Sequence, residues 1–137
     1  MNVAIALLAD GANQSREGKL NILGAFGNIY ASSFPARHPE MHLVLRLDAS
    51  AAESGLEKTL RAVLLTADGQ PAGFGLQAKF VVPPPPKPGR RVQMDTVIRL
   101  VDVTFEKEGD YQVSIMIDGD EKATIPLTVG IPEGQKQ

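Results

Sequence analysis

Apolar and polar residues alternate along most of this chain, in short runs parted by Gly, Pro, Asp and Asn, and the period of two predicts strands. The cleanest run is Glu40 to Asp48. There Met41, Leu43, Leu45 and Leu47 fall on one face and His42, Val44, Arg46 and Asp48 on the other, the pattern of a half-buried strand. Asn2 to Ala9 is apolar on both faces, and Lys19 to Ala31 carries Gly24 and Gly27 where a bulge or bend is expected. Between them Asp10 to Gly18 reads as polar loop. Glu57 to Thr66 and Ala72 to Val82 flank Ala67-Asp68-Gly69-Gln70, a hairpin signal, with Phe74, Leu76, Ala78 and Phe80 on one face of the second run. Val92 to Val103, Tyr111 to Asp118 and Glu121 to Val129 complete eight expected strands. Pro126 is compatible with the last of them only at a sheet edge or a bulge. Only Ser50 to Leu56 has the composition of a helical turn.

The last third of the chain points to a fold. Tyr111 opens an alternating strand just after Gly109, and the hairpin turn Asp118-Gly119-Asp120 follows. A Tyr in that position resembles the tyrosine corner of immunoglobulin-like sandwiches, in which its hydroxyl reaches back to the main chain, here near Phe105 to Lys107. The expected architecture is a single all-β domain, an immunoglobulin-like antiparallel β-sandwich over residues 1–130, with a polar tail over 131–137.

Composition narrows the function classes. With 43% hydrophobic and 22% charged residues the chain is ordinary globular material, and a formal net charge of −2 gives no general pull on phosphate backbones, so nucleic acid is not an expected partner. The absence of Cys removes disulfides, thiolate nucleophiles and thiolate metal sites. The run Val3 to Ala9 is too short and too poorly flanked for a secretory signal, and no window approaches the ~20 apolar residues of a membrane span. A cytoplasmic protein without a membrane is expected. Asn13-Gln14-Ser15, although a glycosylation sequon, then reads as a turn.

Candidate chemistry is sparse. His38 and His42 are the only histidines, with no third ligand at a metal-binding spacing, and Ser32 and Ser33 come without a nucleophile elbow. Asp118-Gly119-Asp120-Glu121 lacks the ligand spacing of a calcium loop, and neither Gly24-Ala25-Phe26-Gly27 nor Gly73-Phe74-Gly75 forms a phosphate-binding fingerprint. Pro85-Pro86-Lys87-Pro88-Gly89-Arg90 satisfies a P-x-x-P-x-R pattern for a polyproline groove. A run of prolines between two strands also serves as a stiff connector, the reading favoured here.

The N-terminal block, Ala6-Leu7-Leu8-Ala9-Asp10 with Gly18-Lys19-Leu20-Asn21-Ile22-Leu23-Gly24-Ala25-Phe26, followed by Phe34-Pro35 and His38-Pro39, resembles a family of small bacterial proteins known only as a domain of unknown function. The Asp68-Gly69 hairpin, the prolines after Val82 and the Gly109-Asp110-Tyr111 corner extend the likeness over nearly the whole chain. That resemblance implies a cytoplasmic β-sandwich and carries over no catalytic residue. The expectation is a non-enzymatic interaction module that needs no cofactor and meets an unknown protein partner through loops or an edge strand. Candidate contact residues are Phe34, Arg37, His38, Arg90 and Arg91, and the apolar first strand allows a homodimer. The alternative is a small-molecule or carbohydrate site built on Tyr30, Phe34 and Phe74.

Overall fold

Nine strands carry the alternating runs in a computed structural model that describes residues 1–132: β1 (Asn2–Gln14), β2 (Leu20–Phe26), β3 (Asn28–Tyr30), β4 (Ala36–Ala49), β5 (Glu57–Leu65), β6 (Pro71–Val81), β7 (Val92–Phe105), β8 (Gly109–Ile117) and β9 (Asp120–Gly130). One 3-10 turn, Ala51–Glu53, falls inside the stretch with helical composition, and no α-helix occurs among the described residues. Among the described residues, no helix is therefore long and apolar enough to cross a membrane. Most of the expected polar tail over 131–137 lies outside the described residues.

The strands form two sheets, one ordered β2-β1-β4-β7 and the other β3-β9-β8-β5-β6, the second curled into a half-barrel. Met41, Leu43, Leu45 and Leu47 of β4 face Leu60, Ala62 and Leu64 of β5 and Val113, Ile115 and Ile117 of β8 in one buried cluster, so the alternation of β4 predicts its inner face correctly. Val44, on the opposite face, is buried as well. Its neighbours in register are Leu7 and Val97, and a short side chain between two apolar ones on a pleated surface is covered without a second layer.

Two expectations need correction, and the phase of β7 is a further finding. Asp10 to Gly18 is not a loop: β1 runs on to Gln14, and the turn is confined to Ser15–Lys19. Those residues pair with β2 alone, because β1 and β4 part after Ala9↔His42, so this arm can be polar on both faces. The run from Lys19 to Ala31 divides at Gly27. Its second part, β3, crosses to the other sheet and lies parallel to β9, the one parallel pairing among the described strands. In β7 the inward phase of Val92 and Leu100 shifts to Val103 and Phe105, and Asp102, at φ 53°, supplies the main-chain reversal between them.

The turns follow from their residues. In Ser15–Lys19 and again in Thr66–Gln70, the first residue's carbonyl accepts from a left-handed Gly (Gly18 at φ 84°, Gly69 at φ 79°), and its N–H donates to the fifth residue's carbonyl at 2.8 Å. Asp118 and Gly119, at φ 50° and 84°, make the two-residue β8–β9 turn that needs two positive φ values. At the corner before β8, the Tyr111 hydroxyl donates to the Lys107 carbonyl at 2.6 Å and its ring meets Phe105 edge-on at 5.2 Å. The expected acceptor lay within Phe105 to Lys107, and Lys107 is the one used.

Candidate interaction surface

The candidate residues separate along the length of the sheet. Ala36, one position before Arg37, pairs with Phe105, whereas Ala49 pairs with Val92, one position after Arg91. At about 3.3 Å per residue the 14-residue β4 holds the two groups some 40 Å apart, so Phe34, Arg37 and His38 share no site with Arg90 and Arg91.

Each group is explained locally. Phe34 packs against the core, Arg37 pairs with Asp102 across the β4–β7 ladder at 3.1 Å, and the His38 ring lies 5.9 Å from that of Phe26. His38 sits within β4, although Pro35 and Pro39 flank it, since strand pairing begins at Ala36. His42 Nδ1 lies 3.2 Å from the Asp10 carbonyl, where the arm leaves β4. Among the described residues no cluster of three or more His, Asp or Glu is placed to hold a metal ion.

At the other end, Lys87-Pro88-Gly89-Arg90 closes on itself. The Arg90 N–H donates to the Lys87 carbonyl at 3.1 Å and Gly89 sits at φ 78°, which with Pro88 before it makes a type II turn. A ligand for a polyproline groove presents an extended three-residue repeat, and this turn interrupts it between Pro85 and Arg90. The prolines are tied back instead: Val82 N–H donates to the Leu56 carbonyl, and Ser54 Oγ donates to the Pro83 carbonyl at 3.1 Å. Beside this connector Glu53 accepts from Ser50 N–H at 3.0 Å and meets the Met1 ammonium at 3.0 Å and Lys58 at 3.2 Å. These contacts, the Ser50 bond foremost, pull its carboxyl down to about 2.

The four sheet edges differ more than the loops do. The β7 edge carries Asp95, Arg99 and the Asp102 reversal, with Arg46 bound bidentately to Asp95 and Arg99 donating to a single Glu40 carboxylate oxygen. β6 has Pro71, left-handed Gly73 and Lys79, and the edge strand β3 is only three residues long, covering β9 from Thr128 onward and leaving Pro126 beyond it. Pro126 thus stands where β9 has a partner on one side only, as its ring requires. β2 has neither Pro nor charge: no residue from Leu20 to Ala36 is charged, and Leu23 is 76% exposed. Tyr30, on β3, is 65% exposed, whereas Phe34 and Phe74 pack against the core.

Residues 4–130 match the model of a family of unknown function, DUF6941. The chain belongs to that family. The comparison with curated proteins finds no match. Among solved structures, Pseudomonas fluorescens alkylpurine DNA glycosylase AlkC, bound to DNA containing an abasic site analog, superposes at a TM-score of 0.55 with 10% identity. The match covers 94% of this family member and 30% of the glycosylase chain. At that identity the likeness is one of fold. The β2 edge was missed by the alternation pattern, although the long uncharged stretch that contains it was visible in the sequence.

Proposed function

We propose that this chain is a non-enzymatic immunoglobulin-like interaction module that binds a protein through the free edge of β2. The fold part is supported by strand order. β1-β4-β7 against β9-β8-β5-β6 corresponds to strands A-B-E against G-F-C-C′, β3 takes the place of a strand A′ beside G, and Tyr111 stands at the E–F corner. The binding part rests on one observation: of the two sheet edges without a Pro or a charged side chain, β2 runs for seven residues and β3 for only three, so β2 is the long unblunted edge. Unblunted edges present a row of main-chain donors and acceptors, which an added strand can pair. Native purification from the host with cross-linking, followed by mass spectrometry, is expected to find a polypeptide, either a host protein or a second copy of the chain, held by the parent and to lose it when Ile22 becomes Lys. A bound small molecule, or a protein partner retained equally by both, would overturn the assignment.

A further inference from the structure

We propose that the occupant of the β2 edge is a second copy of this chain, joined across a twofold axis so that two four-stranded sheets become one of eight strands. This rests on the reading that β2 is the protein-binding edge.

The turn fixes which main-chain groups are free. Because Ser15 N–H donates to the Lys19 carbonyl at 2.8 Å, the antiparallel alternation makes Asn13/Asn21 and Gly11/Leu23 the pairs that exchange hydrogen bonds within the arm. Leu20 and Ile22 belong to the intervening pairs. Their N–H and C=O groups therefore point away from β1, toward the open side of the sheet.

A twofold axis through Asn21 sets Leu20 of one copy against Ile22 of the other, and the reverse, so that both free residues pair fully. Lys19 then lies opposite the second copy's Leu23, where its aliphatic stem covers the side chain that is 76% exposed in the single chain. The absence of charge from Leu20 to Ala36 means that no like charges meet along the seam, although each copy carries a net −2. Gly24, at φ 69°, ends the regular run and limits pairing to a short segment. The resulting contact is small, which makes the dimer weak and concentration-dependent.

Sedimentation velocity from about 1 µM to about 1 mM reads this directly. The parent is expected to pass from monomer to dimer, and Ile22→Pro, which removes an outward N–H without touching the β1–β2 bonds, should raise the dissociation constant roughly tenfold or more. Ile22→Lys is the second variant, and circular dichroism establishes that both still fold. A dimer unchanged in folded variants would overturn β2 as the seam. A parent that stays monomeric, yet carries a host protein which Ile22→Lys releases, would overturn the second copy as occupant and leave the edge reading standing. A monomeric parent whose bound host proteins are the same with and without the substitution would overturn both.

Discussion

The β1–β2 and β5–β6 hairpins are built on the same turn and end in opposite kinds of edge. Each turn begins with a hydroxyl residue whose side chain accepts from the main-chain N–H four positions on, Ser15 from Lys19 and Thr66 from Gln70, both at 3.1 Å. Each places a left-handed Gly fourth, and each is followed by an edge strand with a second left-handed Gly, Gly24 in β2 and Gly73 in β6. Yet β6 leans on the core and carries Pro71 and Lys79, while the arm of β1 and β2 stands clear of β4 and has no such guard. Turn geometry sets register, and the surroundings of the strand decide what its free side does.

Removing Tyr111 should separate the two hairpins most. Its ring is buried beside Phe105 next to the Thr66 turn, so Tyr111→Ala should cost about 3–5 kcal/mol of stability in denaturant melts. Tyr111→Phe keeps the ring and loses the Lys107 bond, costing about 1–2 kcal/mol. If Tyr111→Phe melts like the parent, the hydroxyl bond does not anchor the corner.

The paired glycines come next. A Cβ on Gly73 would approach the Leu64 side chain at 2.7 Å and the Thr104 carbonyl at 3.1 Å, on top of its φ of 58°. Gly73→Ala should cost about 2–3 kcal/mol, since main chain cannot step aside. At Gly24 the near atoms all belong to the exposed Asp10 side chain, its carboxylate oxygen at 2.6 Å and its Cβ at 3.2 Å, with no main-chain atom among them, and Gly24→Ala should cost less, about 1–2 kcal/mol, most of it left-handed strain. Equal losses in thermal melts would refute the contrast between a supported edge and a free one.

The turns themselves should behave alike. Ser15→Ala and Thr66→Ala each remove one exposed hydrogen bond and should each lower stability by about 0.5–1 kcal/mol. A difference of more than a factor of two would show that they are not equivalent.

The smallest effect lies at neither hairpin and serves as their common reference. Because its carboxyl is lowered in the folded chain, Glu53 contributes stability that is complete above the ordinary glutamate range, near 4.3, and is lost as pH falls toward about 2. Urea midpoints at pH 5 and pH 2.5 should therefore fall less in Glu53→Gln than in the parent. The same drop in both would mean that other carboxylates account for all of the acid sensitivity.

Much of the fold was legible because the buried faces alternate. Met41 to Leu47 and Tyr111 to Ile117 announce both strand and orientation, and Asp68-Gly69 and Asp118-Gly119 announce their turns. The first hairpin was hidden for a physical reason. Arg16-Glu17-Gly18 builds the same turn as Ala67-Asp68-Gly69 without the Asp-Gly pair, and an arm that pairs with one strand and buries little leaves no hydrophobic period to read. Gly27 announced a bend, but the change of sheet behind it left no signal, since main-chain pairing with β9 depends on a strand about a hundred positions away. Arg37 and His38 drew attention as polar residues beside prolines, and their roles turned out to be an ion pair across a ladder and an aromatic contact.

That distant pairing bears on the order in which the molecule assembles. Asn28 meets Thr128 and Tyr30 meets Gly130, so β3 closes the longest loop in the chain for only three residue pairs, whereas both hairpins close within a few residues. Loop-closure entropy rises with chain separation and is recovered only as contacts form, so β3 is the strand expected to dock last in folding and to detach first under native conditions. Its release would free the Thr128 N–H from the Gly27 carbonyl, and native-state hydrogen exchange at that amide should run faster than at the amides of β8. In that brief open form β9 also bares the main chain from Thr128 to Gly130, and the molecule's propensity to associate becomes a matter of rate.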